Sequence, residues 1–177
     1  MKHNGLNQMN HIKQFSLSTL SILIFVTAPL LADADVHAKD KVFIKNAMYK
    51  MNVATQDKDL VAYLLFLHPD YTDIGEAGRV NAHNKAQMSD QMSRMFARAM
   101  SITVGPTTVT RFVFDKQGVT VYESGSLTMT LMVSGQKSVL QSGGTYRDFW
   151  VKNGTGWLET SSSSLSSKST LNGKPVP

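Results

Sequence analysis

The 177-residue chain contains no cysteine. This absence excludes disulfide bonds, thiolate metal ligands, thiol nucleophiles and a lipid-modified cysteine anchor. It does not argue for the cytoplasm, because many exported domains of this size fold without disulfides. The Gly-x-Ser-x-Gly, phosphate-binding-loop and His-Glu-x-x-His patterns are also missing. Serine-nucleophile, nucleotide-hydrolase and zinc-protease functions therefore have no support.

Dense basic segments are missing as well. The 18 Lys and Arg residues outnumber the 13 Asp and Glu residues and give a net charge of +5, but they are scattered singly along the chain. A nucleic-acid-binding surface is therefore not expected. The mild positive charge is typical of a solvated, slightly cationic surface.

The N-terminal region has the layout of a secretory signal peptide. Two lysines precede an apolar run over residues 17–31, which is too short and too rich in Ser and Thr for a comfortable membrane span. Small-x-small patterns end at Ala34 and Ala38. We predict a signal peptide over residues 1–38, cleaved after Ala34 or Ala38, a periplasmic or secreted mature chain and no stable membrane anchor. The alternative is an uncleaved membrane anchor.

Apolar periodicity predicts three helices in the first half of the mature chain. The first runs from Lys39 to about Ala54 with one apolar stripe. The second, Leu60–Leu67, is apolar nearly all round and is expected to be buried, with Pro69 preventing its continuation. A short strand and a glycine-bearing loop follow. The third helix begins after the capping residue Asn84.

After Met100 the apolar period changes to two and predicts four long strands, beginning near Thr107. Gly143 and Gly144 interrupt the third of these and indicate a bulge or a sharp bend. Residues 171–177 are expected to form a loosely held tail. The order of elements predicts an α+β fold with three N-terminal helices packed on one face of a strongly curved, mainly antiparallel sheet.

Three stretches carry a resemblance to a known superfamily. They are a helix-to-strand entry from Asp59 to Tyr71, the hairpin from Arg147 to Trp157, and the Ser-rich last strand that ends in residues 172–176. Together with the order of elements, they resemble the NTF2-like superfamily, in particular its secreted SnoaL-like and DUF4440-like branches. The resemblance covers the mature chain and places an NTF2-like domain at residues 39–170.

This resemblance implies a cone whose pocket lies between the concave sheet and the helices. The superfamily includes ketosteroid isomerase, scytalone dehydratase, limonene epoxide hydrolase and polyketide cyclases, beside many binding and docking proteins. One fold with many chemistries does not name a reaction. The resemblance also implies a small-molecule ligand and a homodimer that packs sheet to sheet, and no cofactor is expected.

Glu123 is the sharpest single candidate for chemistry. It lies on the otherwise apolar parity of its strand, between Val121 and Gly125. A regular strand would point this carboxyl group into the pocket, where desolvation would raise its pKa and make it a general base or a protonated donor. The alternative is a bulge that turns Glu123 to solvent, or a pairing with Arg111 or Arg147.

A second group of candidates is expected at the mouth of the pocket. By the resemblance, a carboxylate in this region acts as base and a tyrosine hydroxyl stabilises a developing oxyanion. The candidate bases are Asp70 and Asp73. The candidate ligand-binding residues here are His68, Tyr71, Tyr63 and Tyr49. The alternative is ordinary turn chemistry, and because His68, Asp70 and His83 lack recognised ligand spacing, no metal site is predicted.

Arg147 and Asp148 are adjacent in a strand and therefore point to opposite faces. Arg147 shares its parity with Phe149, whereas Asp148 shares its parity with Tyr146 and Trp150. A buried Arg147 is a candidate for binding an acidic ligand. It could equally be a structural partner of Glu123, which is the role we favour.

The sequence thus favours a domain that binds a small apolar or amphipathic molecule in its cone. One alternative is a cofactor-free isomerase, dehydratase or cyclase with Asp70, Asp73 or Glu123 as base and a tyrosine as donor. The other is a protein-docking module that uses the face of the sheet.

Overall fold

The computed structural model describes residues 35–176. The predicted signal peptide lies almost wholly outside the described residues, so export, the cleavage site and the lack of an anchor stay predictions. Within residues 35–176, no helix is both long enough and apolar enough to cross a membrane.

The three predicted helices are present as α1 (Ala38–Asp57), α2 (Leu60–Leu64) and α3 (Lys85–Arg98). The buried stripe of α1 contains Ile44, Ala47, Met48, Met51 and Ala54. At the start of α3, the backbone N–H of Gln87 donates to Asn84 Oδ1, and Gln87 Oε1 accepts from the backbone of His83. This reciprocal cap satisfies donors that the first helical turn leaves free.

The second helix differs from its prediction. It ends at Leu64 rather than at Leu67, and it contains no buried residue. Val61 is 73% exposed and Leu65 is 65% exposed. Leu67 instead begins a strand and is 1% exposed. The sheet contact outweighs the local helical pattern here, since the backbone N–H of Glu159 donates to the carbonyl of Phe66.

The sheet contains eight strands among the described residues. They are β1 (Leu67–Ile74), β2 (Val80–Ala82), β3 (Ala99–Val104), β4 (Thr108–Phe114), β5 (Val119–Val133), β6 (Gln136–Asn153), β7 (Gly156–Leu171) and β8 (Lys174–Val176). Their order is β2-β1-β7-β6-β5-β3, with β4 also paired to β5 and β8 to β7. The pairing is antiparallel except between β1 and β7.

The four long strands β4 to β7 confirm the period-two prediction. Three further strands were not expected, the first of which is the short β2 that pairs with β1. Strand β3 pairs with the second half of β5, beside the stretch that pairs with β4. Strand β8 pairs with the end of β7, so the prediction of a loosely held tail is wrong for Lys174–Val176.

Bulges and glycines bend the long strands over the helices. The register between β6 and β7 shifts at two places, after Thr145 and after Phe149. The predicted bend at the glycine pair therefore comes just beyond Gly144, which faces Gly125 across β5 and β6. A Cβ atom on Gly144 would lie 2.3 Å from the backbone oxygen of Ser166. This close approach of two strands requires a residue without a side chain.

The core fills the concave side of the bent sheet. Val119, Val121 and Trp150 from the long strands are almost fully buried with Ile44 of α1. At the edge of this core, Trp157 Nε1 donates a 2.9 Å hydrogen bond to Asp40 Oδ1. The bond connects the start of α1 to β7. It holds the first helix against the sheet, where the helix covers part of the concave side.

The glycine pair supplies a matched test of this bend. Gly144→Ala forces a methyl group against the Ser166 backbone and should lower the free energy of unfolding by ~1–3 kcal/mol. Gly143→Ala is the control, since its added Cβ meets its nearest neighbour at 3.4 Å, an ordinary contact. Urea unfolding of both variants checks this. Equal stabilities for the two would contradict the strand approach described here.

Candidate functional site

An inner chamber of about 180 Å³ lies between α1, α2 and the concave face of the sheet. Most of its polar lining comes from neighbouring strands and from α2, and α1 supplies Met48, Met51 and Asn52. Its titratable and aromatic lining residues are Tyr63, Tyr71, Glu123, Tyr146, Asp148, Trp150 and Glu159.

An outer chamber of about 500 Å³ adjoins the inner one. The two share Asn52, Tyr63, Thr107, Glu123 and Tyr146 in their linings. The outer chamber adds Asp73 of β1 and an apolar wall from α3 and β5. That wall contains Met88, Met92, Met95 and Leu127. Glu123 therefore lies where the two chambers meet.

Three adjacent strands each place one carboxyl group in the inner chamber. Glu123 of β5 pairs with Tyr146, Asp148 of β6 pairs with Val121, and Glu159 of β7 pairs with Trp150. Directly opposite residues point to the same face of a sheet. Regular alternation on β5 and β6 therefore brings the first two carboxyl groups to the concave face.

A bulge gives β7 a second residue on this face. Glu159 pairs with Trp150 and Ser161 with Phe149, which leaves Thr160 as the extra residue. The Thr160 hydroxyl donates to the carbonyl of Phe149. Past the bulge, Ser162 lines the inner chamber as Glu159 does, although the two are three positions apart. A regular strand would have turned one of them outward.

The carboxyl groups are buried without a basic partner. Asp148 is 3% exposed and Glu159 is 5% exposed. No Lys, Arg or His among residues 35–176 lines either chamber, and the ion pairs of this region join other residues. Asp148 Oδ1 is buried with no hydrogen-bond partner, and so is Trp150 Nε1. Both residues line the inner chamber.

Burial raises the pKa of each of these carboxyl groups. It raises the pKa of Glu123 to about 8, with a further contribution from the charge of Asp148. Burial raises the pKa of Asp148 to about 7, partly offset by the hydroxyl of Ser162. The pKa of Glu159 is raised well above its usual value by burial and by the neighbouring carboxylates. Because the groups lie close together, they titrate as a cluster.

Tyrosine hydroxyl groups complete the polar lining. Burial, followed by the nearby carboxylates, raises the pKa of Tyr63, Tyr71 and Tyr146 above that of a free phenol. Each hydroxyl group therefore keeps its proton and can donate a hydrogen bond. The chambers thus combine proton acceptors that titrate near neutrality with permanent donors.

Four of the residues singled out from the sequence line the chambers. Glu123, Tyr63 and Tyr71 line the inner chamber, and Asp73 lines the outer one. The pKa of Asp73 is raised by burial, partly offset by the hydrogen bond from Asn81. The alternative in which Glu123 faces solvent or pairs with an arginine is not what the structure shows.

His68 and Asp70 do not line either chamber, so the prediction that they gather at the mouth of the pocket is wrong. The side chain of Asp70 is 91% exposed and lies 3.8 Å from His68 Nδ1. The reason is strand parity, since Leu67, Tyr71 and Asp73 of β1 point inward and the even-numbered residues do not.

Tyr49 and Arg147 also lie outside the two chambers. Tyr49 is 68% exposed, off the buried stripe of α1, and it lines an adjoining groove against residues 104–109, which shares Asn52 and Thr107 with both chambers. Arg147 is exposed and pairs with Tyr122 on the outer face of the sheet. The prediction of a pocket position is wrong for Arg147, as is its structural pairing with Glu123, because Arg147 pairs with Tyr122 and adjacent residues of β5 face opposite sides.

Sequence reasoning missed Asp148 and Glu159 as site residues. The signal for Asp148 was available, since it lies between Tyr146 and Trp150 on the core parity of its strand. Glu159 follows Trp157 at the same spacing. Arg147 drew attention instead because a buried arginine would have explained a buried carboxylate.

Solved structures with a similar fold come from several bacteria. An NTF2-like superfamily protein from Salmonella enterica superposes with a TM-score of 0.58 at 14% identity, covering 71% of this chain and 89% of that chain. A ketosteroid isomerase-like protein from Erwinia carotovora gives 0.55 at 15% identity, covering 73% and 98%. A hexachlorocyclohexane dehydrochlorinase, LinA type 2, gives 0.59 at 10% identity, covering 78% and 90%.

These likenesses show the fold of the NTF2-like superfamily and confirm the α+β cone that the sequence predicted. No family model matches the chain, and no curated protein matches it. Since the identities are low, the likeness extends to the fold and not to a reaction.

The raised carboxyl pKa values predict how stability depends on pH. Glu123 and Asp148 bind protons in the folded chain up to about pH 8 and about pH 7, whereas the unfolded chain releases them near the ordinary pKa values of 4.5 and 3.8. The free energy of unfolding should therefore fall from about pH 5 to about pH 8, by more than ~1.4 kcal/mol. Urea unfolding across this range measures it.

Glu123→Gln provides the comparison, since it removes one of the titrating groups and should flatten the fall. Asp35 and Asp40 have lowered pKa values, so their contributions change only at lower pH. A wild-type stability that is constant or rises over the same range would show that the cluster is not buried in this way.

Proposed function

We propose that this chain binds a small molecule in the two chambers and catalyses a cofactor-free proton transfer on it, of the isomerase or eliminating-lyase type. The observation that carries the proposal is the position of Glu123 at the junction of the chambers, among buried carboxyl and tyrosine groups. In this proposal Glu123 is the base, and Tyr63 or Tyr146 is the hydrogen-bond donor.

The environment of Glu123 suits a base that works near neutral pH. A general base is most effective when its pKa is close to the working pH, and burial raises the pKa of Glu123 to about 8. Its place in both linings puts it beside any molecule that extends from one chamber into the other. Asp148 acts through Glu123, because its negative charge makes the neighbouring carboxylate more basic.

The donors lie on the same shared wall. Tyr63 and Tyr146 line both chambers. A substrate that reaches Glu123 therefore also lies near these two tyrosines. A hydroxyl group that keeps its proton can stabilise the negative charge that develops on oxygen or on a leaving atom when a base removes a proton from carbon. Tyr71 adds a donor deeper in the inner chamber.

Two of the structural neighbours support this reaction class. One is named as ketosteroid isomerase-like and one as a hexachlorocyclohexane dehydrochlorinase. Isomerisation and dehydrochlorination can both begin with removal of a proton from carbon. Support of this kind comes from a shared fold only, so the assignment rests on the residues of the chambers.

Binding without turnover is the second candidate function. The outer chamber favours it, because the α3 methionines Met88, Met92 and Met95 give it an adaptable apolar wall. This wall suits the apolar part of an amphipathic ligand.

The homodimer stays a prediction, with Val113 and Val139 exposed on the outer face of the sheet.

A generic proton-transfer substrate tests the base without knowledge of the natural one. When a base removes the carbon-bound proton of 5-nitrobenzisoxazole, the ring N–O bond breaks and a coloured phenolate forms. The wild-type chain should accelerate this reaction, with a rate that rises as Glu123 ionises. Glu123→Gln should lower kcat/KM by ~10²-fold or more. Absorbance of the phenolate, followed from about pH 6 to about pH 9, measures both effects.

Asp70→Asn is the matched control, because it removes a carboxylate that is 91% exposed and lies outside both chambers. It should retain the wild-type rate. Thermal unfolding of each variant separates a lost base from a lost fold. If a folded Glu123→Gln protein kept the full rate, Glu123 would not be the base.

A further inference from the structure

We propose that the ligand of the chambers is a small organic cation, whose ammonium group enters the inner chamber and whose apolar body lies in the outer one. This proposal names the substrate class for the site of the proposed function and rests on that site. It differs from the neutral apolar molecule that the sequence alone favoured.

The charged side chains that line the two chambers are all acidic. Asp73, Glu123, Asp148 and Glu159 line the two chambers, and no basic side chain of residues 35–176 does. The surface of the same chain is positive, with a net charge of +5 overall. Buried like charges without a partner are costly. Either protons or a cation must neutralise them, and an anionic ligand would be repelled where the carboxyl groups are ionised.

One carboxyl oxygen of the inner chamber residues lacks a hydrogen-bond partner. Asp148 is 3% exposed, lines the inner chamber, and has its Oδ1 atom buried without a hydrogen bond. Buried polar atoms are rarely left without a partner in native proteins, so this oxygen is a candidate contact for a ligand. An ammonium group carries only donors, so it can pair with this unpartnered carboxylate oxygen.

Aromatic side chains form part of the wall of the inner chamber. Tyr63, Tyr71, Tyr146 and Trp150 line the inner chamber around the carboxyl groups. The faces of such rings attract cations, and the attraction grows when the site excludes water. Tyrosine and tryptophan walls combined with carboxylates are therefore suited to an amine head group.

The outer chamber accounts for the rest of the ligand. Its wall of Met88, Met92, Met95 and Leu127 is apolar, which excludes a compact inorganic cation as the best occupant of the combined space. Among the described residues, no three His, Cys, Asp or Glu side chains are grouped closely enough to hold a metal ion. An amine on a hydrocarbon or aromatic body fills both chambers with matching chemistry.

Binding would exchange protons for the cation. The titratable groups that face the chambers are the four carboxyl groups from β1, β5, β6 and β7, together with Tyr63 of α2, Tyr71 of β1 and Tyr146 of β6. The segments of α1 and α3 that line them contribute no charged side chain. A cation that binds the carboxylate form must therefore release protons, and its affinity must rise with pH.

Three probes of similar shape and different charge test the proposal. Benzylammonium, benzyl alcohol and benzoate are titrated into the wild-type chain by calorimetry at about pH 8, where the carboxyl cluster loses protons most readily. Benzylammonium should bind about tenfold or more tightly than benzyl alcohol, and benzoate should bind most weakly. The preference for the cation should shrink at about pH 5, where the cluster is protonated.

Benzyltrimethylammonium, whose charge does not depend on pH, separates titration of the protein from titration of the probe. Its affinity should rise between about pH 5 and about pH 8. The heat of binding, measured in buffers of different ionisation enthalpy, should show proton release. Asp148→Asn should lower the affinity for benzylammonium, whereas Asp90→Asn, which removes an exposed carboxylate of α3, should not.

Two kinds of binding result would overturn the proposal of a cation site. Equal or tighter binding of benzyl alcohol or benzoate at about pH 8, or no binding of either cation at millimolar concentration, would exclude a cation site. These probe rankings use the wild-type chain, so they hold whether or not Asp148→Asn folds. If benzylammonium binds as expected and Glu123→Gln keeps the proton-transfer rate, the ligand class stands and the base assignment fails. If Glu123→Gln loses the proton-transfer rate but benzylammonium shows no preference over the other probes, the base assignment stands and the ligand class fails.

Discussion

The burial of several carboxyl groups on one concave face, without a basic partner, is the constraint on which the rest of the site depends. Asp148 and Glu159 are nearly inaccessible, and Glu123 faces the space beside them. Such a group of acids is tolerated in a folded protein when protons or a ligand neutralise it. The carboxyl protonation, the tyrosine donors and the expected cation are consequences of this one arrangement.

The backbone of the sheet produces the arrangement. Regular alternation along β5 and β6 turns Glu123, Tyr146 and Asp148 inward, and the extra residue Thr160 lets β7 add both Glu159 and Ser162. Gly144 allows β7 to approach β6 closely where the sheet bends. The helices then close the concave side, with α1 tied to β7 by the bond between Trp157 and Asp40. The acids are therefore positioned by the same features that give the sheet its curvature.

Much of this could be predicted from local pattern. The period-two stretch after Met100 predicted the long strands, and the position of Glu123 among Val121 and Gly125 predicted a carboxyl group in the pocket. Local pattern failed where partners distant in sequence decide the outcome. Leu67 belongs to a strand because of its pairing with β7, and Glu159 faces inward in a register that includes a bulge. Asp70 and Arg147 looked suitable by residue type, but strand parity places both outside the chambers.

The most direct test of this account is the protonation of the buried acids in the free protein. The chain has three glutamates, so selective ¹³C labelling gives few carboxyl signals, and Glu123→Gln assigns one of them. The account predicts that the Glu123 carboxyl signal changes with a midpoint at about pH 8 and that the pKa of Glu159 lies well above the usual range of a glutamate. If both signals completed their change below about pH 5, as for solvent-exposed glutamates, the buried acid cluster would not exist.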